Sequence, residues 1–245
     1  MVMLKYFFKG EYRFKARFIP AVITSLPFFI LFWMLFVQEN PILIVKLRSF
    51  LDKPTASYGK WALLLVVTWV WAQIVRLSSK LIEEVVFNHE LNFPTTNLLL
   101  WSNGDLPRSV KTSVHKSLMS EFGVKLLDEA EEMRCEVEAR KLIAIAVKKM
   151  RDKMRDGRII LQYNILYGFV RNTTIGSVYS FLASLIVLYA GALEGVNSMT
   201  FCVGVFLSGF YLLAIMCAKP LWTYTGGLYA RTLINEYLGG PRPSA

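Results

Sequence analysis

Hydrophobic positions in this chain fall in blocks rather than in alternation. Residues 19–37 are mostly apolar. So are 61–75, which Tyr58 and Leu77 can extend, and 199–218. Residues 158–193 read RIILQYNILYGFVRNTTIGSVYSFLASLIVLYAGAL, and from Thr173 on the stretch carries no charge. Each block approaches the ~20 residues that carry a helix across a bilayer. The first half of 158–193 differs from the second, with Gln162, Asn164, Arg171 and Asn172 set between aromatics. Polar and aromatic tips of this kind sit where a membrane helix meets water. A charged segment lies just upstream. The stretch is therefore predicted to be a junction, with Tyr163, Asn164, Tyr167, Arg171 and Asn172 coupling a water-soluble part to the membrane part.

The polar stretches between the blocks also carry elements. Residues 1–18 mix rings (Tyr6, Phe7, Phe8, Tyr12, Phe14, Phe18) with bases (Lys5, Lys9, Arg13, Lys15, Arg17) and suit a membrane surface. A basic start before an apolar run also describes a signal peptide. This run is too long for that, and no A-x-A-like site follows Val37. Pro20 and Pro27 lie inside the first span and favour kinks. Within the connector 38–60, residues 41–51 form either an interfacial helix or a continuation of the first span. Gln73 and Arg76 mark a headgroup anchor or a lined cavity. The second helix is predicted to continue into water through Val86, and 88–96, containing Pro94, to break it. Residues 98–106 are a short apolar run ending in an Asn-Gly-Asp turn signal. A helix follows over 106–122, with Pro107 near its start and Gly123 as its stop. A single long helix is predicted over 126–156, acidic early and basic late, ended by Gly157. Residues 191–198 are a short loop, so the spans it joins are antiparallel. The tail is amphipathic near 224–238 and then rich in Gly and Pro.

The expected fold class is an all-α membrane protein: four transmembrane helices with a helical cytosolic domain inserted between spans 2 and 3. The divisions are 1–79 (interfacial arm and spans 1 and 2), 80–167 (cytosolic helical domain), 168–220 (spans 3 and 4) and 221–245 (cytosolic tail). With four spans the arm, the insert and the tail fall on one side. They hold most of the bases, which places both termini in the cytoplasm. The connector bases Lys46, Arg48, Lys53 and Lys60 then face out, a mild conflict that an interfacial connector would soften.

Composition adds a question of partner. The 28 Lys+Arg outnumber the 18 Asp+Glu, for a net charge of +10, while 54% of residues are hydrophobic. In a soluble chain such charge suggests nucleic acid; in a membrane protein, basic cytoplasmic loops account for it. Lys141, Lys148, Arg151, Arg155 and Arg158 fall within roughly a 100° sector of the predicted long helix, Arg158 lying just past Gly157. The stripe is either a polyanion site, for nucleotide, oligonucleotide or headgroup phosphate, or a solvated face in which Asp152 pairs Lys148. The second weighs more on the residues alone. Leu142, Ile145, Ala146, Met150 and Met154 give the adjoining apolar face.

No GxSxG, P-loop, GxGxxG or HExxH is present, which argues against an enzyme, and no cofactor is expected. Cys135, Cys202 and Cys217 form no CxxC pair, His89 and His115 stand alone, and no metal site is expected. The acidic run Asp128–Glu138 reads as a solvated helix face. No span carries a charge at its centre, which disfavours an ion-coupled transporter. Gly204 and Ser208, four apart, make a small-xxx-small face for packing within or between chains.

The order of motifs carries a resemblance. ARFIPAVITSLPF follows the aromatic-basic arm, FPTTNLLLWSNGDLP follows the second span, LQYNILYGFVRN precedes the third, and the tail contains YARTLINEYL. Together these resemble small bacterial four-span membrane effectors of anti-phage defence, of the Hailong channel-effector type. The resemblance covers most of the chain and carries over no binding residue. It implies a homo-oligomeric channel of the bacterial inner membrane, a tetramer being favoured. It also implies a cytosolic part that senses a nucleotide or single-stranded oligonucleotide made by an associated nucleotidyltransferase, and opening that depolarises the cell. The alternative is a non-conducting scaffold that docks a protein partner through its cytosolic helices.

Overall fold

The structure, a computed structural model, describes residues 10–34, 56–88, 90–154 and 157–239, with backbone only at 56–61 and 63. Residues 1–9 of the arm, the connector helix at 41–51, His89, Arg155 and the tail after Gly239 lie outside the described residues. Among the described residues the fold is all-helical, with no strand. A π-helical turn at Phe14–Phe18 leads into α1 (Ile19–Phe32). Then come α2 (Ala56–Val86), α3 (Pro94–Leu99), α4 (Arg108–Phe122), α5 (Glu129–Arg134) and α6 (Glu136–Lys153). The chain closes with α7 (Arg158–Glu194), α8 (Met199–Met216) and α9 (Ala218–Gly239).

Four helical stretches are long and apolar enough to cross a membrane: Gly10–Phe32, Leu64–Val86, Arg158–Glu194 and Met199–Met216. At 37 residues, α7 runs for about 55 Å, well beyond the ~30 Å hydrocarbon core. The contacts divide the chain into two units. One takes Arg13–Ser79 and Gly168–Lys219; the other takes the chain up to Tyr12, Lys80–Tyr167 and everything from Pro220.

The first unit is the apolar one, and it is built with its polar side inward. Thr24, Ser25, Thr68, Ser177, Ser180, Ser184 and Ser208 are buried, while Trp69 (60%), Leu182 (57%) and Phe206 (70%) stand exposed. In water that distribution would be ruinous. In lipid it is the expected one, because small polar residues let helices approach closely and hydrogen-bond across. A Cβ added at Gly204 would come within 2.5 Å of the Leu188 Cα, so α8 lies directly on α7 there. One turn on, the Ser208 hydroxyl donates to the Ser184 Oγ at 3.1 Å. The small face of α8 is thus used within the chain.

The two prolines of α1 explain two further contacts. Proline has no N–H, so the carbonyl four residues before it loses its helical donor. Pro20 vacates the Ala16 carbonyl, and the Asn172 Nδ2 donates to it at 2.6 Å. Pro27 vacates the Ile23 carbonyl, and the Tyr211 hydroxyl donates to it at 2.6 Å. The π-helical turn ends just before Pro20, a usual place for the ladder to slip by one residue.

The second unit has a conventional core of Leu99, Val114, Leu118, Ile143, Ala146, Met150, Leu233 and Ile234, drawn from α3, α4, α6 and α9. Three elements differ from the expectation. The breaker at 88–96 gives way to a helix at Pro94, because proline at the first helical position loses nothing and Phe93 is already extended. The long helix of 126–156 is two helices. Asp128 and Glu131 form a reciprocal capping box at 2.8 and 3.1 Å that delays the start, and Cys135 leaves helical geometry between α5 and α6. The last helix begins at Ala218, with Pro220 in its first turn, so it starts six residues before the amphipathic stretch expected near 224–238. Gly123 closes α4 in the left-handed conformation, φ +63°.

Candidate functional site

Helix α6 buries Ala139, Ile143, Ala146, Val147 and Met150, and that fixes which side faces outward. Lys141 and Lys148 are seven residues apart, two turns, and both are exposed on the same side. Among the described residues neither makes an ion pair, and Lys148 does not pair with Asp152. Arg151 is half-buried and committed elsewhere: its Nη2 lies 3.2 Å from the Glu90 Oε2. Glu90 sits in a tight turn with φ +76°, beside Asn88 at +46°, a region that L residues seldom adopt. The Arg151 pair and the bond from the Thr96 hydroxyl to the Glu90 carbonyl, 3.0 Å, help hold that turn. Arg155 lies outside the described residues. Arg158 is exposed but opens α7, because the chain leaves α6 at Met154 and passes Gly157. Among the described residues the predicted stripe therefore keeps Lys141 and Lys148 as exposed, unpaired bases on α6. Arg151 serves as a brace and Arg158 belongs to another helix. Three other bases of α6 are engaged: Arg140 with Glu136 at 2.8 Å, Lys153 with Glu121 at 2.6 Å, and Lys149 with the Phe122 carbonyl at 3.3 Å.

The predicted coupling residues lie along α7. Tyr163, Asn164 and Tyr167 fall in the second unit, Arg171 and Asn172 in the apolar one. The Tyr167 hydroxyl donates to the buried Glu83 carboxylate at 2.6 Å, tying α7 to the end of α2. In the apolar unit the Tyr179 hydroxyl makes a corresponding tie to Ser78 at 2.9 Å. Arg171 is buried, 6% exposed, and Asn172 holds the Pro20-vacated carbonyl described above. The same helix thus carries half-buried polar anchors in the second unit and buried ones in the apolar unit.

A polar cluster that the sequence reading passed over lies in the second unit. Glu132, read as one of a solvated run, is 4% exposed. Its two oxygens accept from the Trp101 and Ser102 amides at 3.0 Å each. Lys111, 1% exposed, donates to the Leu100 and Asn103 carbonyls of the same turn. The turn after α3 is therefore clamped by a carboxylate on its N–H groups and an ammonium on its carbonyls. The Trp101 indole donates to the Leu127 carbonyl at 3.1 Å and packs on His115, ring centres 4.7 Å apart. Burial pushes both the Lys111 ammonium and the His115 imidazole below their ordinary pKa values, with Glu132 opposing both shifts. The sequence held one signal for this cluster: a charged helix of period 3.6 must turn some residue inward, and Glu132 is the one.

Among the described residues no three of His, Cys, Asp and Glu gather closely enough to hold a metal ion. Nothing in the cluster offers a nucleophile to a substrate: Lys111 and Glu132 are consumed by backbone groups. The comparisons with known proteins give no further direction, because no family model, no curated protein and no solved structure matches this chain.

Proposed function

We propose that this protein is an oligomeric channel effector of the bacterial inner membrane, with both termini and the polar unit in the cytoplasm. A nucleotide or single-stranded oligonucleotide gates it, supplied by an associated nucleotidyltransferase. Opening collapses the membrane potential, as the resemblance to four-span anti-phage effectors implies. The observation that supports this reading is the construction of α7. One helix leaves a unit rich in bases and enters an apolar unit, with half-buried polar side chains along it in the first and buried ones in the second. An anion engaging Lys141 and Lys148 would act on the unit in which α7 begins. Phosphate contacts of this kind release counterions, so binding weakens as salt rises.

A second reading, a non-conducting scaffold, is favoured by one observation. Met133 (76%), Val137 (61%) and Ile145 (53%) are exposed on α5 and α6, apolar surface that a protein partner could cover. Purified protein in a planar bilayer separates the two. The channel reading expects current steps on adding an oligoadenylate probe, lost in Lys141→Ala/Lys148→Ala while membrane insertion is unchanged. Silence under all probes, together with a stoichiometric co-purifying protein, overturns it in favour of the scaffold. Arg151→Ala is a poor test alone, since it also loosens the Glu90 turn.

A further inference from the structure

The second unit contains a groove of about 590 Å³, lined by the turn after α3, by α3 itself and by α9. That volume is within the range of small-molecule sites. Two opposite charges line it: Asp105, at the end of the Asn103-Gly104-Asp105 turn, and Arg231 on α9. Among the described residues neither side chain makes an ion pair or a hydrogen bond with the protein. The turn that presents Asp105 is held in place: the Asn103 Oδ1 accepts from the Asp105 amide at 2.7 Å, and Lys111 grips the Asn103 carbonyl. Phe87 and Leu228 supply apolar wall, and Asn92 also lines the groove. Gly227 also lines the groove, and a Cβ there would meet nothing within 4 Å.

A groove whose one cation and one anion do not reach each other is complementary to a molecule bearing both signs. The lining has no excess positive charge, so it does not resemble a site for a bare phosphate or a polyanion. We propose that this groove binds a small zwitterion, its acidic end on Arg231 and its amine on Asp105. A phosphoethanolamine group has that chemistry, either as a free metabolite or as the headgroup of a membrane lipid. This inference is independent of the channel reading.

The test uses the full chain in dodecyl maltoside, a nonionic detergent. Titration calorimetry compares glycerophosphoethanolamine with its two halves, glycerol phosphate and ethanolamine. Native mass spectrometry then measures retention of phosphatidylethanolamine against phosphatidylglycerol. The expected result is saturable binding of the zwitterion about tenfold tighter than either half, with a similar loss in Arg231→Gln and in Asp105→Asn. Gly227→Leu, whose Cβ would stand in open space on the groove wall, should abolish binding at an unchanged melting temperature. Binding of the free molecule assigns a soluble ligand; selective retention of the lipid alone assigns the headgroup. Glycerol phosphate binding as tightly as the zwitterion, or an Asp105→Asn variant that binds normally, overturns the proposal. So does failure of both the free and the lipid form to bind.

Discussion

At the scale of single residues, the cluster around Trp101 shows how burial changes what a charge is for. Glu132 and Lys111 hold five backbone groups of one turn, of which the Leu100 carbonyl is buried and would cost about 1–3 kcal/mol if orphaned. His115 is the titratable member of this neighbourhood, facing Glu132, Lys111 and the Trp101 ring. Its Nε2 is buried without a partner, so a second proton there would find no acceptor. Because its folded pKa is lowered from 6.5, the unfolded chain takes the proton first. Stability is then full above pH 6.5 and falls as the pH drops below it. We expect thermal melts of the wild type to decline between that value and the carboxylate range, and His115→Gln to flatten the decline. An identical acid limb in the variant would remove His115 as its cause.

At the scale of elements, α1 shows proline serving as a connector. Each proline vacates a backbone acceptor, and a polar side chain from another span fills it: Asn172 from α7 and Tyr211 from α8. A side chain that repairs a helix in this way is worth more where the proline is present. Tyr211→Phe should therefore cost about 1–2 kcal/mol in wild type, measured by unfolding in mixed micelles. In a Pro27→Ala background the cost should be smaller, because the restored N–H of residue 27 can bond the Ile23 carbonyl itself. Equal costs in both backgrounds would show that the tyrosine acts by packing alone.

At the scale of the whole molecule, the exposed cysteines give a test of the membrane reading. Cys135, Cys202 and Cys217 are all free and exposed at the protein surface. Cys135 lies between α5 and α6, while Cys202 lies within α8, a span whose surface carries Phe206, Leu213 and Met216. In lipid nanodiscs a water-soluble maleimide should label Cys135 rapidly and leave Cys202 untouched, and detergent denaturation should expose both. In inside-out vesicles, where the cytoplasmic face is outermost, Cys135 should label without permeabilisation. Labelling of Cys202 at the Cys135 rate in nanodiscs would refute a bilayer around α8.

The sequence by itself determined the four apolar helices, because length and hydrophobicity are local properties that lipid reads directly. It also determined the stop at Gly123, where a single residue's freedom at positive φ decides. It did not determine the division of α5 from α6, since the pattern of 126–156 is helical on both sides of Cys135 and only the capping box interrupts it. Nor did it separate Lys148 from Arg151. Both are bases on one helix, and what distinguishes them is Glu90, a residue 61 positions away. The same holds for Glu132 within its acidic run and for Asn172 and Tyr211, whose acceptors lie 156 and 188 positions distant. Partners so far apart are chosen by packing, so only the tertiary structure could say which polar groups were solvated and which were holding the fold.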